Sequence, residues 1–521
     1  MSTGYSRRSS AVPPRAAGTV GEGSTGGGER ALFAGRLGTA GLLLSVLAAT
    51  APLMVVAGVM PTTFGVMGVV GQPLLFVLLG VVLALFSFGY AELSRHVHNA
   101  GAFYAYIARG LGGTAGSSAA LVALVAYSAL QSGVYGIFGY EVSGLFATYL
   151  DTRVAWWIPA LAAVAAVGVL GWLKVDVNAR LLGALLLAEV LVVVVFDVSA
   201  LAHPGGGGLS LRAFDPRTLS GTGVGTALCF CVAGFLGFEQ APVYSEETRH
   251  SQIVVARVMF LAVGCVAVFF AFSSWALTVA AGPAQIVPAA RRESAGLLFS
   301  LATAGLGGTF TDVLHVLFVT GIFASTLSFH NVVARYAFAM GRERLLPRFF
   351  ARTRSASGAP AAGSLLQSVV SGVVVGAFAL HDDGPAGDPT APVLHLFTWM
   401  ANVGALGVLL LMAVASLAVI VFFVRRGAGR AQLGRLVASG VAGAALLVIV
   451  GFTVRDFDVL VGSGPGSGLT WLLPGIIGAA AVAGLVQGLV LRSVRPQVYT
   501  RIGLSNQAFQ LERVADLVGD I

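Results

Sequence analysis

Charge is the first thing that the sequence lacks. Only 10% of its 521 residues are Asp, Glu, Lys or Arg, whereas about 25% is usual in soluble domains. Lys174 is the only lysine. With 56% hydrophobic residues and a mean hydropathy of +0.87, the chain has too little polar surface for most soluble enzymes. The composition predicts a polytopic membrane protein, because hydrocarbon disfavours charge.

Cysteine and the motifs of metal or covalent chemistry are also scarce. The three cysteines, Cys229, Cys231 and Cys265, lie in apolar stretches without the paired spacing of zinc sites or disulfide frameworks. Neither His-Glu-x-x-His nor Gly-x-Ser-x-Gly occurs. We therefore predict no enzyme activity, no cofactor and no metal site. The net charge of +8 is scattered singly between apolar segments, which argues against a nucleic-acid partner.

Long apolar segments are what the sequence has instead. A helix needs about 20 apolar residues to cross a bilayer. We predict an all-α polytopic fold with one transmembrane domain at 39–493, a disordered N-terminal tail at 1–38 and a C-terminal tail at 494–521. The twelve predicted spans are 41–71, 73–94, 116–149, 154–173, 179–202, 220–245, 252–281, 307–337, 361–380, 392–424, 435–453 and 470–491.

The basic residues predict the orientation of these spans. An even number of spans places both tails on one side, and cytoplasmic tails satisfy the positive-inside rule. Composition rich in Ala, Gly and Arg fits a bacterial protein, so we expect the bacterial cytoplasmic membrane. Only six of the 31 Lys and Arg residues then lie outside: Arg153, Arg212, Arg217, Arg291, Arg292 and Arg455. The acidic residues Asp382, Asp383 and Asp388 also fall in a predicted outside loop.

Two predicted spans contain helix-breaking residues near their middle. The first has Gly58 and Pro61, and the sixth has Gly234, Gly237 and Pro242. Such backbone is tolerated in a membrane where it lines a cavity or is buried in protein. Paired interrupted spans in two inverted halves predict a transporter site, whose half-helix N-termini would face an anionic group such as a carboxylate. Alternatively, these residues only allow close packing of helices.

Three stretches resemble one known family. They are GYAELSRHVHNAGAFYAYIARGLG at 89–112, FLGFEQAPVYSEETR at 235–249 and ARYAFAMGRERLLPRFF at 334–350. The chain resembles bacterial permeases of the amino acid/polyamine/organocation superfamily from about residue 40 to 491. It departs from their pattern at three positions where that family usually has proline: His98, Ser251 and Ala256.

The resemblance implies a LeuT-like fold of five plus five inverted spans, with spans 1 and 6 discontinuous. The repeats would be about 41–202 and 220–424, followed by two extra helices at about 435–491. It also implies transport of amino acids or related small amines by alternating access. The substrate carboxylate would lie at the break of span 1 and the ammonium at span 6, which gives these residues: Val56, Ala57, Gly58, Val59, Phe235, Gly237 and Phe238.

Polar residues inside the spans are further candidates. Glu239 at the break of span 6 and Glu189 in span 5 are candidates for proton coupling, since charge in a span is costly. A structural hydrogen bond to freed backbone is the alternative for Glu239. Tyr127 and Gln131 are four residues apart, so they share a helix face and are candidates for substrate binding. We expect Glu246 and Glu247 to pair with Arg249 or another loop arginine.

The coupling ion and the mode of transport are predicted more coarsely. Related proton-coupled members often carry a lysine in span 5, and this chain has none there. We nevertheless favour a proton over sodium, because the buried carboxyl groups can carry one. An amine, polyamine or amino-acid exchanger is the alternative to a proton-coupled permease. A passive facilitator or channel is disfavoured, because no repeated filter sequence occurs. The sequence does not predict an oligomeric state.

Overall fold

The computed structural model describes residues 32, 35–97, 99–173, 175–219, 223–381, 390–427, 429, 432–464 and 466–504. Within these ranges the chain is helical, and the only β-pairing is an isolated bridge between Leu37 and Thr248. His98, Lys174 and the predicted acidic loop residues Asp382, Asp383 and Asp388 lie outside the described residues, as do most of both predicted tails.

Eleven of the described helices are long and apolar enough to cross a membrane, which confirms a polytopic helical protein. We number them by the predicted spans to which they correspond, so span 4 is left out here. Spans 1 to 3 and 5 to 12 are Thr39–Gly65, Gln72–His96, Gly113–Leu150, Asn178–Ala202, Val224–Tyr244, Ser251–Ala281, Gly308–Arg342, Ala361–Leu380, Pro392–Arg425, Leu433–Arg455 and Leu469–Val494.

The predicted segment 154–173 forms a shorter helix than expected. It runs over Trp157–Leu170 and has 14 residues, which gives a length of about 21 Å at 1.5 Å per residue. The hydrocarbon core is about 30 Å thick. This helix is apolar but does not reach the length of a span by itself, so the count of twelve spans stays a prediction.

Spans 3 and 8 are at the centre of the bundle, and span 12 is at its edge. About 72% of the most apolar stretch of spans 3 and 8 is buried, against 22% in span 12. The exposed apolar side chains of the outer spans fit a lipid environment. Spans 3 and 8 therefore supply side chains to the interior, where a site can form.

Span 1 is interrupted earlier than the sequence suggests. Its first helix, Thr39–Ala49, ends before Ala51, whose φ of 42° lies in the left-handed region. Pro52 follows directly and disfavours helical backbone at the residue before it. We expected the break near Ala57, but residues Val55–Val59 form a π-helical turn. That turn ends just before Pro61, so helical structure continues past the position that we expected to be unwound.

Span 6 is interrupted where we expected. Its helix Val224–Ala233 ends at Gly234, and a 3₁₀-helix begins at Phe238 and runs to Tyr244. Gly237 has a φ of 129°, which a residue with a Cβ adopts only with strain. Two glycines and one proline, Gly234, Gly237 and Pro242, therefore accompany a true break in the helix.

Described residues on both sides of the predicted transmembrane domain at 39–493 pack against the bundle. Leu37 donates its N–H to the carbonyl of Glu247 at 3.1 Å. At the other end, Ile502 is buried and Gly503 donates its N–H to Glu343 at 2.8 Å. The packed part of the protein therefore begins before residue 39 and extends past residue 494.

Candidate functional site

The interruptions of spans 1 and 6 lie against each other. A Cβ added to Gly237 would come within 2.7 Å of the Ala49 Cβ and 3.3 Å of the Thr50 nitrogen. Gly237 thus allows the two breaks to touch, both by its lack of a side chain and by its positive φ. Gly234 makes a similar approach, since its added Cβ would lie 3.1 Å from Val55 Cγ1.

Glu239 lies at this junction and is fully buried. Its Oε1 accepts a hydrogen bond from the Tyr127 hydroxyl of span 3 at 2.8 Å. Its Oε2 accepts the N–H of Gly237 at 2.7 Å. Among the described residues, it forms no ion pair. A carboxyl group in hydrocarbon with neutral partners only is a site for a proton or a cation.

Aromatic rings and unpaired polar groups surround Glu239. The Tyr127 ring lies 5.6 Å from that of Tyr336, and the Phe238 ring lies edge-on to Phe86 at 6.0 Å. Gln240, the next residue, is fully buried, and both atoms of its amide lack a hydrogen-bond partner within the described part of the chain. Sequence reasoning missed Gln240, although a glutamine in so apolar a segment is itself a signal.

Glu189 forms a second buried carboxyl site at the break of span 1. Its Oε2 accepts the N–H of Leu53 at 3.4 Å, just after the break. A Cβ on Gly321 of span 8 would lie 2.2 Å from the Glu189 Cδ. Span 8 therefore needs glycine there to leave room for the carboxyl group, and only the three-dimensional packing reveals this.

Span 8 also holds the first half of span 1 through two hydroxyl groups. Ser328 donates to the carbonyl of Ser45 at 3.1 Å, and Ser325 donates to the carbonyl of Ala49 at 3.0 Å. The Ala49 carbonyl, at the end of this helix, has no partner of its own in the helix. These bonds therefore stabilise the interruption from the span 8 side.

Gln131 takes part in a different network from Tyr127. Both side chains are fully buried, as their shared helix face predicted. The Gln131 Nε2 lies 3.0 Å from the Tyr135 hydroxyl and 3.2 Å from His330 Nδ1. His330 Nε2 lies 2.8 Å from the Ser364 hydroxyl. The structure thus brings Tyr127 to Glu239 and connects Gln131 to spans 8 and 9.

The other predicted site residues divide into packed and open positions. Val56, Ala57, Phe235 and Phe238 are buried, and the Phe235 ring packs 6.2 Å from that of Phe76. Gly58 and Val59 are half-buried. A Cβ on Gly58 would meet no atom within 4 Å, so this glycine borders open space.

A charged layer, Glu246, Glu247, Arg335 and Arg342, lies where the end of span 6 meets span 8. Arg335 binds Glu247 through two contacts of 2.6 and 3.1 Å, and Arg342 binds Glu246 at 2.5 and 3.0 Å. All four side chains are at most 8% exposed. The expected pairing is confirmed, but the partners come from span 8, because Arg249 donates instead to the Gly35 carbonyl.

Neighbouring segments form hydrogen bonds to the charged layer and to Glu343, which follows span 8. The N–H of Ala100 donates to Glu246 at 3.0 Å, and Glu343 accepts from Asn99 at 2.7 Å and from the N–H of Gly503 at 2.8 Å. The link between spans 2 and 3, the end of span 8 and the C-terminal segment are therefore fastened together at this end.

The described departures from the family pattern fit an uninterrupted helix. Ser251 is the first residue of span 7, and Ala256 lies inside it. A proline at Ala256 would remove a helical hydrogen bond, so alanine keeps this turn regular. Among the described residues, no group of three or more His, Cys, Asp or Glu side chains could hold a metal ion.

Together these features define a class: a polytopic helical membrane protein in which two interrupted spans meet beside a buried carboxyl group. The sequence matches the family of amino acid permeases over residues 42–478. The chain belongs to this family, within the amino acid/polyamine/organocation superfamily. The membership and the spans support a transporter of small molecules. No match was found among the curated proteins.

Proposed function

We propose that the protein is a secondary active transporter, and not an enzyme, that moves amino acids or related small amines by alternating access. The observation that carries this proposal is the meeting of spans 1 and 6 at Gly237, next to Glu239. Interrupted spans in corresponding places of two halves are typical of transporter sites. The family membership points to the same activity.

The binding region would lie between the two interruptions. Gly58 borders open space on the span 1 side, and Glu239 with Tyr127 forms the polar wall on the other side. Val56, Ala57, Val59, Phe235 and Phe238 would supply apolar surface. Gln131 would not contact the substrate directly and would instead position span 3 relative to span 8 through His330.

Alternating access requires the charged layer to open. In the described conformation two buried pairs, Arg335 with Glu247 and Arg342 with Glu246, join the end of span 6 to span 8. Release of substrate on this side would separate span 8 from the end of span 6. By the positive-inside rule this end faces the cytoplasm, with both chain ends, and the membrane would be the bacterial cytoplasmic one.

The two buried carboxyl groups support the proposal that transport is coupled to protons. Glu239 and Glu189 lie at the two breaks with neutral hydrogen-bond donors only. An ionised carboxylate in such a place is costly, and a bound proton removes that cost. A proton bound in one conformation and released in the other would drive uptake.

The test is uptake into proteoliposomes that hold the purified protein. An imposed pH gradient, acidic outside, should drive accumulation of at least one radiolabelled amino acid or amine from a broad panel. Collapse of the gradient with a protonophore should abolish accumulation. Protein-free vesicles are the control for leakage. Lack of uptake of every compound, with or without a gradient, would contradict the proposal.

A further inference from the structure

We infer that this site selects small organic cations that lack a carboxylate over the corresponding amino acids. The inference deepens the proposed function and rests on it. Its basis is that two carboxyl groups of the protein already accept a backbone N–H at the breaks, that of Gly237 in span 6 and that of Leu53 in span 1, so neither N–H is free for a substrate carboxylate.

At the break of span 6, each N–H of the turn has an acceptor within the chain. The important one is Gly237, whose N–H donates to Glu239 rather than pointing to a cavity. A substrate carboxylate would have to displace the Glu239 carboxylate to reach it. The other N–H groups donate to backbone carbonyls: Gly234 to Cys231, Phe235 to Val232, Leu236 to Ala233 and Phe238 to Phe235.

At the break of span 1, the first N–H of the second helix also has a carboxyl group as its acceptor. Pro52 has no N–H, and the N–H of Leu53 points to the Glu189 carboxyl group. A helix N-terminus attracts anions, and here the anion comes from span 5 of the same chain. The stretch Val55–Val59, where the family resemblance places a carboxylate, is a helical turn and not an unwound segment.

The charge of the site favours a cation. Neither Glu189 nor Glu239 has a Lys, Arg or His partner among the described residues. In their ionised forms, these two groups would repel a substrate carboxylate and attract an ammonium group. Tyr127, which bonds to Glu239, and Phe238, its neighbour in the chain, supply aromatic rings next to this carboxyl group, and aromatic rings attract cations. The unpaired amide oxygen of Gln240 is an acceptor for an N–H.

The test compares ligands that differ by one carboxylate. Suitable pairs are cadaverine and lysine, putrescine and ornithine, histamine and histidine, and isobutylamine and valine. Binding is measured by thermal shift of the purified protein, and uptake by proteoliposomes with an imposed pH gradient. At least one amine should bind ten times or more tightly than its parent amino acid, and it should be the transported member of the pair.

Two variants identify the cause of the preference. Glu239→Gln should weaken amine binding tenfold or more, because it removes the charge and keeps the side-chain shape. Glu189→Ala frees the Leu53 N–H and should improve the amino acid relative to its amine at least fivefold. If this variant does not fold, Glu189→Gln removes the same charge and should shift the ratio in the same direction. Asp197→Asn is the matched control: its buried carboxyl group is on the same helix, bonded to Ser273, and should leave the ratio unchanged.

The outcomes separate the two proposals. Transport of amino acids with equal or tighter binding than their amines would overturn the inference and leave the transporter assignment intact. An equal effect of Asp197→Asn would also overturn it, because the preference would then not depend on the breaks. Lack of binding and uptake of all eight compounds, alongside uptake of some other amino acid, would again overturn the inference alone. No uptake of any compound would contradict the proposed function itself.

Discussion

Two pairs of buried glutamates have different kinds of partner: one pair binds arginines, and the other does not. Glu246 and Glu247 in the charged layer each bind an arginine of span 8 through two contacts. Among the residues that the structure describes, Glu239 and Glu189 at the breaks receive hydrogen bonds only from neutral groups. A buried ion pair fixes its two partners in one geometry. A buried carboxyl group without a cation remains able to bind a proton or a charged ligand.

Glutamates with and without an arginine partner therefore have different proposed roles, although Glu239 lies close in the chain to Glu246 and Glu247. Span 6 places Glu239 in its 3₁₀-helix and Glu246 and Glu247 just after it. The first would respond to the substrate and the proton, and the others would hold the protein closed until that response occurs. If the hydrogen-bond and ion-pair partners decide these roles, replacing a partner should change stability or transport in a specific way.

The largest effect is expected from breaking the charged layer. Arg335→Met leaves the Glu247 carboxylate buried without its partner, and breaking such a pair costs about 3–5 kcal/mol. The melting temperature of the purified protein should fall, or the folded yield should collapse. The double variant Arg335→Met with Glu247→Leu should recover much of this loss, because no charge is left unpaired.

Arg249 supplies the matched control for that prediction. Its side chain is exposed and donates to the Gly35 carbonyl, so Arg249→Met should change stability by about 0.5 kcal/mol or less. A loss as large as that of Arg335→Met would show that any arginine at this end is needed, and would remove the distinction between paired and incidental charge.

The second-largest effect is expected from a substitution at Gly237, where the breaks of spans 1 and 6 touch. Gly237→Ala places a Cβ 2.7 Å from that of Ala49 and strains a φ of 129°. We expect a loss of about 1–3 kcal/mol in the free energy of unfolding, and a fall in uptake of tenfold or more. Gly264→Ala is the control, since an added Cβ there meets no atom within 4 Å. Normal uptake by Gly237→Ala would separate function from this junction.

The sequence predicted the class of fold better than the detail of the site. Low charge and long apolar segments were enough for a polytopic helical membrane protein, and glycine with proline placed the break of span 6. The break of span 1 was misplaced, because Pro52 and Pro61 both disrupt a helix and sequence alone does not rank them. The helix continues through Pro61 after a π-helical turn, whereas it is interrupted at Ala51, directly before Pro52.

Long-range contacts account for the rest of what sequence reasoning missed. Glu189 was recognised as a buried acid, but its position at the break of span 1 depends on the gap left by Gly321. Arg342 falls beyond the predicted span 307–337, yet both Arg335 and Arg342 belong to span 8, and both side chains are buried. Such pairs join residues far apart in sequence, so no local pattern indicates them.

A third prediction concerns the unpaired acid itself. Glu239→Gln keeps the acceptor for Tyr127 and removes the charge, so stability should stay within about 1 kcal/mol or rise. Uptake driven by a pH gradient should fall at least tenfold. Glu247→Gln should show the reverse pattern, since it leaves Arg335 without its carboxylate. Equal loss of stability in both variants would contradict the difference between the two pairs of glutamates.

The smallest effect is expected from the neutral donor to Glu239. Tyr127→Phe removes one hydrogen bond of 2.8 Å and keeps the ring, so the free energy of unfolding should fall by about 0.5–1.5 kcal/mol. A carboxylate that loses a donor binds its proton more readily. The pH at which uptake is half-maximal should therefore move upward, while Tyr135→Phe, whose hydroxyl lies 3.0 Å from Gln131, should leave it in place. Uptake measured across a series of external pH values checks both variants. An unchanged pH profile in Tyr127→Phe would mean that the proton binds elsewhere, and Glu189 would become the first residue to test.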